Sequence, residues 1–340
     1  MKGMYNFWFR TPVGLETVAL DEIKEKTEVL DYEIKHRSVF VMIKDDNFNP
    51  ANLRTVDDAY RLLGIYNGID NKKESLTSFF QYFKDTILQM IPTTDGSLRV
   101  TTSFLGKRNF NRFFVENNIN DILENNTIAT ILSNEDGNSY VEGEQRIRLH
   151  LEDDSLYIGL ALSDTPLHRR DWRTEKYNGQ LDGVTAADMV RIIGDVGEKT
   201  IIDPFCGSGT LVIESALVNK NNIHIGFDLN SDAIEISGKN ALNSKVKNVS
   251  FIKRDSFSEY DTYADNIIIS NPPWDNKHLM EDDLFVDNFL KIIKISSKSV
   301  VIVPDEILNK IKEEDGINIE KEYQTRVRGF IVSILYINNK

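Results

Sequence analysis

The sequence predicts an α/β protein: a mostly parallel seven-stranded sheet in the second half, preceded by two small α+β units. Three observations lead there. From about residue 185, apolar runs suited to buried strands alternate with helical patterns, the mark of a parallel sheet covered on both faces. That alternation closes on "KEYQTRVRGFIVSILYIN", which reads as an antiparallel pair. Before residue 165, strands and helices mix in two shorter blocks instead.

The first block, residues 1–70, opens with a strand, "MYNFWFRT", and a helix, "GLETVALDEIKEK", whose apolar residues recur at helical spacing. "SVFVMIKD" is a strand, and "NPANLRTVDDAYRLLGIYNG" is expected to form one or two helices that stop near glycine. The second block, 71–165, runs from a helix, "SLTSFFQYFKDTILQMI", through a strand, "SLRVTTSFL", to a hairpin turning at Asp153 and Asp154. In the third, 166–340, "TAADMVRIIGDV", "SGTLVIESALVNK", "SDAIEISGKNALNS" and "FVDNFLKIIKISS" are helices. The strands between them are "KTIIDPF", "NIHIGFDLN", "VSFIKRDS", "ADNIIIS" and "SVVIVPDEI".

Composition narrows the class. A chain of 340 residues can bury a core in each of two or three domains. One cysteine excludes an internal disulfide, and the five histidines show no ligand spacing, so a reducing compartment and no structural metal are expected. No targeting segment or membrane span is read, which predicts a cytoplasmic protein with no membrane partner. The net charge of −13 argues against coating nucleic acid with the whole surface. Two basic runs stand out, "RVTTSFLGKRNFNR" with Arg99, Lys107, Arg108 and Arg112, and "LHRRDWRTEK" with Arg169 and Arg170; by themselves such runs read as solvated loops.

The first chemical marker is "DPFCGSGTLVIESAL", where a strand ends at Asp203, a loop holds Gly207 and Gly209, and a helix follows at once. In a doubly wound sheet a nucleotide-like ligand sits here, because glycine lets it approach the backbone and the helix N-terminus offers free N–H groups. No Lys-Ser or Lys-Thr follows, so the loop suits a ligand without phosphate, such as S-adenosylmethionine. The next two strands also end in acids. Asp228 is placed to accept hydrogen bonds from ribose hydroxyls and Asp255 from an adenine amino group.

The fourth strand runs into "NPPW", which resembles the [D/N/S]-P-P-[Y/F/W] signature of class I methyltransferases acting on exocyclic amino groups. Such an amino group is a weak nucleophile, its lone pair being delocalised into the ring. The Asn271 side-chain oxygen and the Pro272 carbonyl can each accept one of its hydrogens and stabilise the charge that develops. Pro273 lacks an N–H and steers Pro272 from helical geometry, which is expected to leave the Pro272 carbonyl free. Trp274 offers a face for stacking on a flipped-out base.

Taken together, "LHRRDWR", "LDGVTAADMVRIIG", "DPFCGSGTLVIESA" and "NPPW" are similar to the THUMP-domain RNA guanine-N2-methyltransferases. "TPVGLETVALDEI" resembles the start of that family's ferredoxin-like domain, and "SLRVTTSFLGKRNFNR" to "LYIGLALSDTPLHRRDWR" its THUMP domain. The resemblance implies a class I, Rossmann-like domain at 166–340, a ferredoxin-like domain at 1–70 and an RNA-gripping THUMP domain at 71–165. It implies N2-methylguanosine formation, in tRNA near the acceptor stem. Arg108, Arg169 and Arg170 become candidate RNA contacts, Thr185, ahead of the first helix, lies near the methionine end of the cofactor, and Phe205, Gly207 and Gly209 line its loop. Two departures stand out: Asp275 where the family often has glycine, and the acidic balance, which points to a confined RNA footprint or a basic activating subunit.

Alternatives are separable on residues. Pyrimidine C-methylation needs a cysteine nucleophile, and Cys206 lies in the cofactor loop as a small packing residue. Adenine-N6 methylation, or guanine in rRNA or snRNA, would use the same Asn-Pro pair. An inactive RNA-binding scaffold would show loss of Asp228, Asp255 or Asn271, and a dehydrogenase would complete the dinucleotide loop that "GSGTLV" leaves half-formed.

Overall fold

The computed structural model describes residues 5–45, 47–92, 95–134, 141–175, 177, 179–274 and 283–339. They divide into two units. One holds the chain up to Arg10, Ile23–Leu53 and Asp57–Leu167; the other holds Thr11–Glu22, Arg54–Val56 and the chain from His168 onward. Among the described residues no helix is long and apolar enough to cross a membrane.

The first unit is built on a sheet of eight described strands: β1 (Phe7–Arg10), β2 (Val29–Lys35), β3 (Ser38–Ile43), β4 (Asp58–Asn67), β5 (Ser97–Phe104), β6 (Thr130–Leu132), β7 (Gln145–Glu152) and β8 (Ser155–Ala161). Their order is β2-β3-β1-β4-β8-β7-β5-β6, so strands from 1–70 and from 71–165 share one sheet through the β4–β8 pairing. On one face, α2 (Ser75–Tyr82) and α3 (Arg112–Glu124) bury Leu76, Phe79, Val115 and Ile119 against Val100, Ile147, Leu149 and Ile158. Each such side chain contributes about 1.5–3 kcal/mol when fully buried. The opposite face carries Trp8, Phe40, Tyr60 and Tyr157, with Trp8 stacked on Phe40 at 5.8 Å.

Two sequence expectations change here. Residues 50–67 were expected to be helical; the structure has a short 3-10 turn at Pro50–Asn52 and then β4. Ala59, Leu62 and Leu63 favour helix locally, but β4 is the inner strand between β1 and β8, and pairing on both edges overrides propensity. The basic run near residue 110 is not only a loop: Asn111 accepts the Phe114 N–H at 2.9 Å and starts α3. The hairpin at Asp153 and Asp154 forms as read, with Asp153 at φ 53.

The second unit has seven described strands: β9 (Ile201–Asp203), β10 (His224–Asp228), β11 (Val249–Lys253), β12 (Ile267–Ser270), β13 (Lys298–Val303), β14 (Ile319–Val327) and β15 (Phe330–Asn338). They lie in the order β11-β10-β9-β12-β13-β15-β14, parallel except for the closing β14–β15 hairpin. Helices α4 (Gly183–Ile193), α5 (Thr210–Val218), α6 (Ser231–Ser244), α7 (Asp283–Ile295) and α8 (Asp305–Glu313) connect and cover it. Ile201 and Ile202 point into cores on opposite faces, as buried parallel strands require.

An N-terminal segment completes this unit. Leu15 and Val18 join the core of Met189, Ile334 and Tyr336. Gly14 has φ +79, and a Cβ there would lie 1.9 Å from the Gln324 carbonyl oxygen, so only glycine fits. Glu22 accepts the N–H groups of Arg54 and Thr55, each at 2.9 Å, which fixes the Arg54–Val56 strip.

Candidate active site

Strand order reverses beside β9: the chain steps outward to β10 and β11, then returns to β12 on the other flank. In open parallel sheets a crevice forms at such a switch point, outside the carboxyl ends of the strands. The glycine loop after β9 and the Pro-Pro turn after β12 both begin there.

The two are tied together by Asp203. Its buried carboxylate accepts the Phe205 N–H at 3.0 Å and the Ser270 hydroxyl at 2.8 Å, so the last residue of β12 is bonded to the last residue of β9. Burial pushes this carboxyl up to about 7, against the pull of those two hydrogen bonds. Gly207 (φ +52) donates its N–H to Asp228 Oδ2 at 2.9 Å, and the other Asp228 oxygen accepts from the Asn230 N–H at 2.8 Å. Gly209 (φ +79) enters α5; a Cβ there would lie 2.9 Å from the Phe251 ring and from Ser237 Cβ. Asp255, exposed two residues beyond β11, accepts the Phe257 N–H at 3.0 Å. Phe205 packs on Phe257, Phe285 and Phe289 at 5.8, 5.5 and 6.1 Å. Cys206 is buried, its thiol pushed well up by desolvation, which suits a packing residue and not a nucleophile.

Several expected roles are corrected. The Pro272 carbonyl is not free: it accepts the Trp274 N–H at 2.8 Å, closing a tight turn. Trp274 also anchors the turn. Its indole N–H donates to the Ile302 carbonyl of β13 at 2.6 Å, and its ring meets Phe285 and Phe289 edge-on at 5.9 and 5.7 Å. These contacts fix the half-buried Trp274 ring in one orientation. Thr185 lies within the first turn of α4, not ahead of it, and is buried there with its N–H on Asp182 Oδ1 at 2.8 Å. Arg170 is internal, giving its Nε to buried Glu214 at 2.7 Å and its Nη2 to the carbonyls of Arg54 and Gly183. Arg54 completes the cluster on the other oxygen of Glu214 at 2.7 Å.

Other expected residues keep accessible positions. Asn271 and Pro273 are half-buried at the mouth of the turn, and Arg169 is exposed. In the first unit, Arg108 bonds Asn71 Oδ1 at 3.0 Å and the Asp153 carbonyl. It also lines an open concavity of about 570 Å³ with Lys73, Asn111, Phe113 and Phe114. Asp275 lies outside the described residues. Tyr177 was missed: its ring is the nearest neighbour of the space above Gly207, 3.6 Å from where a Cβ would stand, and its hydroxyl accepts from Asn230 Nδ2 at 3.2 Å. Nearby, Gln180 Oε1 accepts the Ser208 hydroxyl at 3.3 Å. "EKYNGQ" has no periodicity to flag either residue; only the aromatic beside Asn-Gly ahead of α4 hints at an ordered turn.

Comparison with known proteins bears on the fold and on part of the chain. Residues 170–294 match UPF0020, an RMKL-like methyltransferase domain family. A tRNA (guanine(6)-N2)-methyltransferase of Archaeoglobus fulgidus is 29% identical over 154 residues, 38% of this chain and 39% of that protein. The enzyme of the same name from Methanocaldococcus jannaschii is 22% identical over 238 residues, 56% of this chain and 62% of that one. A putative RNA methyltransferase, YpsC of Bacillus subtilis, is 34% identical over 31% of this chain and 29% of its own. The matched stretches thus span less than two thirds of these relatives. Among solved structures, TrmN from Thermus thermophilus superposes with a TM-score of 0.80 at 17% identity, covering 98% of this chain and 99% of that one. A possible methylase from Clostridium difficile gives 0.77 at 15% identity, over 99% and 98% of the two chains. The sheet order, the switch-point site and these likenesses lead to one conclusion: the chain has the class I methyltransferase fold, and its residues 170–294 match an RMKL-like methyltransferase domain.

Proposed function

We propose that the protein transfers a methyl group from S-adenosylmethionine to the exocyclic amino group of a guanine in RNA, forming N2-methylguanosine, with tRNA as the substrate. The observation that carries this reading is the Asp203–Ser270 hydrogen bond at the switch point. It sets the glycine loop, a cofactor seat, beside the Pro-Pro turn, an amino-group seat.

The residues fit the cofactor. Gly207 and Gly209 leave the backbone open, and Asp228, half-buried beside Gly207, keeps carboxylate lone pairs beyond the two backbone bonds it accepts, enough for ribose hydroxyls. Asp255 offers the same to an adenine amino group. Tyr177 bounds the loop from above, and Asp203, its carboxyl raised to about 7 by burial, would ionise toward a cationic ligand. When bound, the cofactor supplies an activated methyl group. Asn271 Oδ1 and the second lone pair of the Pro272 carbonyl accept the two amino hydrogens and hold the nitrogen lone pair toward it. The Trp274 N–H, by taking the first lone pair, fixes where that carbonyl points.

Guanine N2 in tRNA is favoured over adenine N6 by the names of the archaeal relatives and by the RNA-binding resemblance of the first unit. In this reading residues 1–70 and 71–165 supply ferredoxin-like and THUMP elements that hold the RNA. The concavity of Lys73, Arg108, Phe113 and Phe114 provides charge for phosphates and rings for bases. Calorimetry with S-adenosylmethionine alone should show one site, unchanged in Asn271→Ala, while that variant loses about 10²–10³-fold in methyl transfer. A wild-type protein that does not bind the cofactor would overturn the reading.

A further inference from the structure

The closing hairpin of the second unit passes beyond the sheet edge that carries the candidate site. β13 is parallel to β12, so both end at the edge where Asn271 follows. β15 runs antiparallel to β13, and its pairing with β13 stops at Val303↔Ser333. Ahead of Ser333, the residues Phe330, Ile331 and Val332 pair with β14 alone among the described strands, opposite Val327, Arg326 and Thr325. At roughly 3.4 Å per residue the tip stands about 10 Å past the end of β13. Arg328 (φ 54) and Gly329 (φ 89) make the two-residue turn, and a turn with both φ values positive matches the strand twist and holds the tip in register.

The tip has an unusual surface for this chain. Phe330 is 66% exposed and Ile331 47%, although Thr325, Val327 and Val332 behind them are buried. Arg326 and Arg328 are exposed, and the run 324–332 contains no acid in a chain of net charge −13. Alternation puts Arg326 and Ile331 on the face that carries Leu335, whose core also takes in Trp274 of the Pro-Pro turn. With neighbouring strands about 4.8 Å apart, β15 lies two strands, or about 10 Å, to the side of β12. The tip therefore stands about a nucleotide or two from the amino-group seat, with Arg326 on the Trp274 face, Arg328 in the turn and Phe330, in step with Val332 and Ile334, on the opposite face.

We propose that this tip is a second contact for the substrate RNA: Phe330 stacks on a base flanking the target, and Arg326 and Arg328 bind adjoining phosphates. The proposal rests on the RNA-methyltransferase reading above. Because Phe330 is exposed and the arginines lie at the tip, variants there leave the core intact. With the full chain, labelled S-adenosylmethionine and tRNA-sized cellular RNA, Phe330→Ala should raise KM for RNA roughly tenfold, the scale of one base–aromatic stack. Its kcat and cofactor affinity should stay within about twofold. Phe330→Trp should restore KM, since it restores a stacking face. Arg326→Ala combined with Arg328→Asn should flatten the salt dependence of RNA binding by about 0.7 for each phosphate no longer neutralised. An unchanged KM in Phe330→Ala would overturn the proposal. So would failure of Phe330→Trp to rescue, or a shift in oligomeric state by light scattering on mutation, which would assign the tip to a second protein copy. Absence of transfer by the wild-type protein would instead remove the methyltransferase reading, and the proposed RNA contact with it.

Discussion

The glycine loop after β9 and the Pro-Pro turn after β12 share one sheet edge but differ in how their residue types are used. In the loop, the proposed role falls on backbone: two positive-φ glycines and an N–H given to Asp228. Such features leave a direct mark in sequence, because few residues other than glycine tolerate them. In the turn, the proposed role mixes the Pro272 backbone carbonyl with side chains that packing also wants. Trp274 suits a base-stacking platform or a core anchor equally well, and the Ile302 carbonyl and the Phe285 and Phe289 rings claim it as an anchor. The arginine pair beside α4 repeats the lesson: of two adjacent guanidinium groups, one is exposed and the other is buried on Glu214.

The strongest test of this contrast is at that pair. Arg170→Ala should destabilise the protein by roughly 3–5 kcal/mol, because the fully buried Glu214 loses a hydrogen-bonded partner. Arg169→Ala should leave thermal stability within about 0.5 kcal/mol and weaken RNA binding alone. Equal melting temperatures for the two variants would break the distinction. Next in size, Trp274→Ala should cost about 2–4 kcal/mol in denaturant unfolding, somewhat under the full-burial range because the ring is half-buried. Its effect on transfer should fall on kcat through a misdirected Pro272 carbonyl. A stable variant with raised RNA KM would instead restore the stacking role.

The smallest effect is in pH. The folded pKa of Asp203 is raised to about 7 from 3.8, so in the ligand-free protein its contribution to stability is fully present below about 3.8 and is lost as pH rises through 7. A cationic ligand reverses the preference, since it favours the carboxylate. Cofactor affinity should therefore rise severalfold between about pH 6 and pH 8, with proton release near pH 7 measurable by calorimetry in buffers of different ionisation enthalpy. Affinity flat across that range would place the cation away from Asp203.

Legibility followed the same physics. In the second unit the inner strands were readable as continuous apolar runs such as "NIIIS" and "VVIV", while the largely exposed β11 and β14 were readable from the strand–helix alternation and the closing hairpin pattern around them. In the first unit β4 was misread because Ala59, Leu62 and Leu63 suit a helix, and only its neighbours β1 and β8 make it a strand. β2 was not read although Leu30, Tyr32 and Ile34 alternate with Asp31, Glu33 and Lys35; on this edge strand the apolar residues are the exposed ones. The positions of Asp203 and Asp228 at strand ends, and of Gly207 and Gly209 in the loop after β9, were legible in the sequence. Tyr177 was not, because a long-range fold-back puts it over Gly207.

The central claim is tested most directly by incubating the purified protein with labelled S-adenosylmethionine and total cellular RNA, then digesting the RNA to nucleosides. The account predicts label in N2-methylguanosine from the tRNA fraction, about 10²–10³-fold less of it with Asn271→Ala. Label in N6-methyladenosine, or no transfer to RNA by a protein that binds the cofactor, would contradict it.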